Sequence, residues 1–568
     1  MVREPFVMNR PAKRWVVANP EPALSKSLAR SLGMSPALAQ VLINRGYRDA
    51  ESASAFLNPR LQNLRDPFEL PHMAAAIDRV LSAIEKQERI VIYGDYDVDG
   101  VTSSALLLRV LVEAGAKVDN FLPHRMDEGY GLSRDGLARC LKEFKPALMI
   151  AVDCGTSSCD EIAELKQQGI DTIVLDHHEP PSKLPECVAL VNPKSGHDVN
   201  TVNLASVGVS FKFAHALLKR DPVLAKKIDL REHLDLVAIG TVADIVPLTG
   251  ENRILVKAGL ERLAQTQKIG LRALLEVADI PGKVSPYHIG FRIGPRLNAA
   301  GRLADAMAAL ELLLTDDRDR AGKLAKLLDD HNAERQRIEG KIVETAILQA
   351  RKFADDRVLV LADESWHVGV IGIVASRITQ EFHRPSVVIG QGGKGSCRSV
   401  SGFSIVAALA QCSSLLERFG GHEMAAGLSV RTDKTPELRQ ALNKFAHETL
   451  KDSALSPLVT VDATLRLEEM DEEFFAQLSR LEPCGPENPA PVFSVERAQL
   501  RGAARVVGKN HLRFNVTDGE TTVGAIWWGQ GDARLPQGDL DIAFNAEWHE
   551  YKGVESVQLK VRDVRATC

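Results

Sequence analysis

A chain of 568 residues is longer than one ordinary domain, and length alone predicts roughly three to five. With 45% hydrophobic and 26% charged residues it falls outside the disordered and fibrous classes. A net charge of -5 excludes a uniformly basic nucleic-acid coat protein but leaves room for a local basic groove, and an aromatic content of 5% keeps any base-stacking surface small.

The opening stretch, MVREPFVMNRPAKRW, holds no continuous apolar run of signal-peptide length, and no later run is long enough to span a bilayer. A cytoplasmic protein without membrane contact is therefore expected. The eight cysteines contain no CxxC pair, so a zinc ribbon is not expected and most should be small buried hydrophobes.

Residues 1–80 read as a helical segment of short helices and loops, punctuated by Pro67 and Pro71, with no chemistry assigned. From 81 to 265 the pattern changes to apolar strands alternating with amphipathic helices. ERIVIYGDYDVDG is a buried strand running into a turn, VTSSALLLRVLVEAGA a helix, PALMIAVDCG a second strand, DEIAELKQQG a helix and DTIVLDHHEP a third strand. Such alternation predicts an α/β fold with a parallel, doubly wound sheet, whose ligands bind beyond the carboxyl ends of the strands. Residues 266–350 form a connecting region with a long charged helix, and RVLVLADESW opens a second αβ region over 351–454. The remainder, 455–568, turns to short β-rich runs (PLVTVDATLRL, HLRFNVTD, TTVGAIWWG, DIAFNAEWHEYKG, VESVQLKVRDV) that predict a small barrel such as an OB-fold.

Asp95, Asp97 and Asp99 alternate along one segment that ends at Gly100. Carboxylates so close repel one another, and a cation resolves that conflict. Oxygen-rich ligand sets favour manganese or magnesium, and an added imidazole shifts the preference toward manganese. Asp153 ends the second strand, Asp176-His177-His178 ends the third, and Asp244 in GTVADIVPL follows a helical run. A single Asp at a strand end is more often a helix cap than a ligand, and DxDxDG also opens calcium loops. A calcium loop, however, needs a downstream bidentate Glu, and VTSSALLL follows here instead. The convergence of ligand-type residues on one sheet edge points to a metal site. Two divalent ions about 3.5–4 Å apart can acidify water and neutralise a phosphate during in-line displacement. Asp153 is the candidate bridge. His178 is the candidate to orient the phosphate or protonate the leaving oxygen.

YGDYDVDG, VDCG, LDHHEP and TVADIVPL resemble the four motifs of the DHH phosphoesterase superfamily. PRLNAAGRL, WHVGVIGIVASRI, GSCRS and GGHEMAAG resemble the further motifs of its single-strand-specific exonuclease branch, and the likeness runs from about residue 40 to the C-terminus. The resemblance implies a DHH domain and a smaller DHH-associated domain joined by a long helix, then an OB-fold. It also implies 5′-to-3′ removal of mononucleotides from single-stranded DNA, in recombination and repair. By that resemblance Asp97, Asp99, Asp153, His177 and Asp244 hold two divalent ions, Mn2+ or Mg2+, with Asp95 a further ligand. Related pyrophosphatases carry a histidine four positions before their first aspartate; here Tyr93 stands there, which implies a more open first metal position.

An exonuclease that reads a chain end needs a pocket for a terminal phosphate, and the planar fork of Arg suits it. GSCRS offers Ser396, Arg398 and backbone amides; Arg302 in NAAGRL and Gly421 and His422 in GGH stand in the branch's motifs, and Arg125 in LPHRMDEGYG is expected to contact the phosphate being cut. The terminal barrel carries Arg501, Arg505, Lys509 and Arg513 beside Trp527 and Trp528, of which alternation lets only one face outward. The expected partners are single-stranded DNA, a single-strand-binding protein and a helicase, and the default oligomeric state is a monomer. Two alternatives stand beside this reading: a small-substrate phosphodiesterase and a non-catalytic nucleic-acid scaffold.

Overall fold

A computed structural model describes residues 13–124, 131–196, 203–303, 306–551 and 554–567. The chain divides into two compact units. One joins Ala55–Glu334 to Leu481–Pro489; the other joins the described residues up to Ser54, Arg335–Arg480, and those from Ala490 onward.

The first unit is built on a five-stranded, wholly parallel sheet in the order Lys117–Phe121, Arg89–Gly94, Leu148–Val152, Asp171–Leu175, Ala189–Val191. Its strands read as unbroken apolar runs because both faces are covered. Ile90 and Ile92 point into one core and Val91 and Tyr93 into the other, as strand alternation requires. Each such fully buried side chain contributes about 1.5–3 kcal/mol. The chain leaves Arg89–Gly94 for one neighbour and returns for the other, so the strand order reverses between Arg89–Gly94 and Leu148–Val152. That reversal opens a crevice beyond the strand ends. Asp95 follows the first of these strands and Asp153 the second.

The helices Val98–Glu113, Ser206–Arg220 and Leu234–Ala243 pack against one another on the sheet. The loop after Leu234–Ala243 is pinned by the segment 481–489. The Leu248 amide donates to Pro486 O, and the buried Arg253 guanidinium donates to the carbonyls of Leu481, Glu482, Pro483 and Phe56. Four carbonyl acceptors satisfy a buried cation that would otherwise be very costly to desolvate.

In the second unit a five-stranded mixed sheet runs in the order Arg418–Gly421, Ala425–Ser429, Lys394–Arg398, Ser386–Ile389, Leu359–Ala362. Beyond it, Phe493–Leu500, Leu540–Tyr551, Val554–Ala566, Thr522–Trp527 and His511–Thr517 pair in turn, and the last pairs back with the first to close a barrel. The expected barrel was right in kind, but its strand list needs two corrections. PLVTVDATLRL is divided: Leu458–Val461 pairs in parallel with Arg14–Val17, inside a stretch read as helices and loops alone, while Ala463–Thr464 joins the barrel sheet only as a short strand beside Phe493–Leu500. Phe493–Leu500 belongs to the ring and was missed, because a bulge between Val495 and Ala498, with Arg497 at φ 52°, breaks its alternation.

The long helix Arg318–Arg351 is amphipathic rather than charged on most faces: Ala321, Leu324, Ala325 and Leu328 enter one core, and Ile342, Ala346 and Ala350 another. Among the described residues no helix is long and apolar enough to cross a membrane.

Candidate metal centre and phosphate pocket

Gly94 ends its strand and the chain makes a tight turn through Asp95-Tyr96-Asp97. Gly100 permits the turn, since a Cβ there would lie 2.4 Å from Asp95 O. Asp97 is a helix cap after all, accepting from the amides of Asp99 and Gly100 through Oδ1. Capping and metal ligation are compatible, because one carboxylate has a second oxygen to offer. Asp99 accepts from the amides of Ser206 (2.7 Å) and Val207 (2.9 Å), at the start of the helix Ser206–Arg220.

Asp153 continues the ladder by donating its amide to Leu175 O, then turns out of the sheet in the left-handed region at φ 62°, a conformation Asp tolerates better than most residues. His177 Nε2 lies 3.4 Å from Asp153 Oδ1, 3.5 Å from Asp244 Oδ2 and 3.9 Å from Asp99 Oδ2. Residues far apart in sequence thus share one pocket. Potential donors gather as Asp95 with Asp97 and Asp153, as Asp99 with His177 and Asp244, and as Asp153 with His177 and His178, with ligand atoms within 4.8 Å of one another in each set.

The electrostatics favour a divalent cation here. Burial, and then repulsion from Asp244 and Asp97, pushes the Asp99 carboxyl far above the ordinary range; burial and the surrounding carboxylates do the same to Asp153. Asp244 is pushed up to about 7 by burial and then by Asp97. His177 is lowered to about 3 by burial and then by His178, so its imidazole is neutral, and its buried Nε2 makes no hydrogen bond. Mutually repelling carboxylates around a neutral imidazole form the donor set that Mn2+ or Mg2+ relieves.

Sequence reasoning placed Asp176 in the triplet but gave it no role of its own. Its carboxylate accepts from the backbone amides of Thr156, His177 and His178 and from His178 Nδ1 at 2.7 Å. Burial would raise its pKa, but the hydrogen bond and charge of His178 and the Thr156 side chain outweigh that and hold it low. A charged carboxylate only accepts, so His178 Nδ1 carries the proton and Nε2 is the atom left for chemistry. His178 is raised: burial acts against it, but the Asp176 hydrogen bond prevails. Asn192 completes the brace, donating to Thr156 Oγ1 and His178 O. The triplet pattern alone carried the signal, because its first carboxylate is the one that can turn back onto its neighbours. Asp176→Asn is expected to lower kcat about 10- to 100-fold, the usual cost of removing such an orienting partner. Without the carboxylate His178 loses its raised pKa, so the loss should be larger at pH 8 than at pH 6.5. A loss independent of pH would deny that Asp176 tunes His178.

In the second unit Ser396 and Arg398 lie on the strand Lys394–Arg398. Arg398 Nη1 donates to Cys397 O and Ser396 Oγ, no described carboxylate pairs with it, and burial lowers its pKa. The start of the helix Ile371–Phe382 abuts both: a Cβ on Gly372 would lie 3.2 Å from Ser396 Oγ and 3.6 Å from Arg398 Nη2. A guanidinium, a hydroxyl and a helix N-terminus brought together have the donor chemistry of an anion site. Gly372 was not among the residues expected there, although its motif was noted. Gly421 pairs with Ala426, which pairs with Cys397, and His422 donates its amide to Ala425 O, so both lie at the same end of that sheet. Arg302 lies on the helix Gly294–Leu303, with its side chain outside the described part of the structure, and Arg125 falls on 125–130, outside the described residues. On the barrel Trp528 is exposed, resting on His511, while Trp527 is half-buried; Arg505 and Arg513 are cross-strand neighbours.

A parallel sheet with carboxylates and an imidazole converging at its switch point defines a metal-dependent phosphoesterase of the DHH type. Family models agree: the DHH family N-terminal domain matches residues 89–241, the DHHA1 domain 355–448 and the RecJ OB domain 461–563. The chain belongs to the RecJ family. It is 38% identical over 563 residues to the single-stranded-DNA-specific exonuclease RecJ of Bacillus subtilis, covering 97% of this chain and 70% of that protein. To RecJ of Escherichia coli it is 34% identical, covering 94% and 96%. The crystal structure of Thermus thermophilus RecJ in complex with Mn2+ superposes with a TM-score of 0.85 at 33% identity, over 97% of this chain and 79% of that one. The Mg2+ complex of the same protein gives a TM-score of 0.79.

Proposed function

We infer that this chain is a single-stranded-DNA-specific exonuclease that releases mononucleotides in the 5′-to-3′ direction, acting in DNA recombination and repair. The observation that carries the reading is the meeting of Asp99, Asp153, His177 and Asp244 around one point, with Asp95 and Asp97 adjoining. Two divalent cations bound there supply phosphate-charge neutralisation and acidified water. The protein's own part is to hold the carboxylates in register, to keep His177 neutral and to present His178 Nε2 for proton transfer to the leaving oxygen. Ser396, Arg398 and the helix start at Gly372 hold the terminal phosphate, with Gly421 and His422 closing that pocket; Arg125 and Arg302 are assigned to the strand's backbone. Trp528 and the exposed Arg501, Arg505 and Lys509 suit the single strand further along. The functional division follows 1–80, 81–265, 266–350, 351–454 and 455–568. A monomer in the cytoplasm, working with a single-strand-binding protein and a helicase, completes the reading.

The deciding experiment is product analysis on end-labelled single strands in Mn2+, with and without EDTA. Mononucleotides appearing from the 5′ label first support the assignment. Release from the 3′ end, or cleavage of dinucleotides alone, overturns it. Arg398→Ala is expected to reduce cleavage of 5′-phosphorylated strands about tenfold or more while 5′-hydroxyl strands lose little, since one charge-assisted pair disappears. Equal losses on both would remove Arg398 from end recognition.

A further inference from the structure

Packed against the helix Leu234–Ala243, and leading into the helix Gly294–Leu303, lies a turn of π-helix, Ile289–Ile293, closed by the Gly294 amide on Ile289 O. Such turns carry one extra residue, which rotates everything before them by about 100° relative to everything after. The consequence here is a division of faces. Gly294 packs inward, where a Cβ would lie 3.6 Å from the Cβ of Ala243, the neighbour of Asp244; Gly301 packs inward too, and a Cβ there would lie 2.9 Å from the carbonyl of Tyr96, between Asp95 and Asp97. This run of chain therefore borders two of the carboxylate-bearing segments of the candidate metal centre.

Outward, it presents Tyr287 and Phe291, which are 59% and 69% exposed and are the two most exposed aromatic residues among those described. Their rings stack at a centroid separation of 4.9 Å and an interplanar angle of 27°. Ile245, directly after Asp244, is 72% exposed. Two cations beside the pair are turned back into the protein: Arg292 donates to the carbonyls of Ala278 and Asp279, and Arg296 pairs with Asp329. What remains among the described side chains is an exposed, mutually stacked aromatic pair close to the candidate metal centre. Such a surface suits the face of a base, and not the backbone.

We propose that the Tyr287–Phe291 pair is a stacking platform for one unpaired base of the DNA strand whose backbone enters the metal centre. The proposal rests on the reading of the chain as a single-strand exonuclease and adds a specificity element to it. A base in a duplex has both faces occupied by its neighbours and its edge paired, so it cannot lie on the platform without first being unstacked.

The test scans an abasic nucleotide along a 5′-phosphorylated oligonucleotide, using the full-length wild-type chain and the Tyr287→Ala/Phe291→Ala variant in Mn2+. Wild type should show KM raised about tenfold with the abasic residue at one particular position. The double variant should show the same rise on intact DNA and no further rise at that position, while kcat on saturating DNA stays unchanged. Tyr287→Trp and Phe291→Trp should behave as wild type. Additive effects at every position would overturn the platform while wild-type digestion of single strands leaves the exonuclease reading standing. Failure of wild type to digest single strands would remove both. A dimer in sedimentation that the double variant abolishes would make the surface a self-association face and also overturn the proposal. The wild-type scan decides the matter even if a variant folds poorly.

Discussion

Asp153→Asn is expected to lower turnover on single-stranded DNA in Mn2+ by at least about a thousandfold, on the order of 4 kcal/mol of transition-state stabilisation. Asp153, like His177, belongs to two of the three donor sets, and it lies against His177 at the switch point of the sheet. Asparagine is the informative substitution, because the residue sits at φ 62° and alanine would add backbone strain of about 1 kcal/mol that has nothing to do with catalysis. The metal-free variant should melt no lower than metal-free wild type, since one mutually repelling carboxylate has been removed. Its gain in Tm on adding Mn2+ should shrink. Turnover within about tenfold of wild type would take Asp153 out of the metal centre.

The second large effect is on stability and runs opposite to the usual carboxylate behaviour. The folded-state pKa of Asp244 is raised from 3.8 to about 7, and those of Asp99 and Asp153 are also raised. Between those two pH values the folded chain keeps a proton that the unfolded chain has lost. The unfolded state thus binds fewer protons, and stability falls as pH rises. The favourable contribution is fully present below the unfolded pKa and is lost as pH climbs toward about 7, amounting to on the order of a few kcal/mol. In EDTA the melting temperature of wild type relative to Asp244→Asn should therefore drop between pH 5 and pH 8. The comparison is needed because salt-bridged carboxylates such as Asp66, lowered by its hydrogen bond with Lys219, contribute with the opposite sign. Mn2+ should restore the loss at pH 8 and do little at pH 5, where protons already occupy the ligands. A wild-type-minus-variant difference that does not change with pH, or a Mn2+ gain equal at both pH values, would deny that repulsion is stored at this site. Nuclease activity should vanish in EDTA and return with excess Mn2+.

Much of the chemistry was legible because it is local. A buried parallel strand must be a continuous apolar run, and the polar residues that follow it lie at the carboxyl edge, so GDYDVDG, VDCG and LDHH announce both the sheet and its ligand edge. The dual use of Asp97 as cap and candidate ligand was not separable in sequence, since both roles favour Asp at that position. Asp176 was given no role of its own for a related reason: that role depends on which way a carboxylate turns, and only coordinates give that.

The sequence by itself determined the alternation of strands and helices in the first unit, its α/β class and the residue types able to hold divalent cations, because these follow from period, propensity and donor chemistry within short windows. Tertiary structure alone decided the pairing of Arg14–Val17 with Leu458–Val461, the return of residues 481–489 to clasp Arg253, and the approach of Gly301 to Tyr96. Each of these joins segments separated by hundreds of residues, where no periodicity connects the partners and only the burial of complementary surfaces selects them.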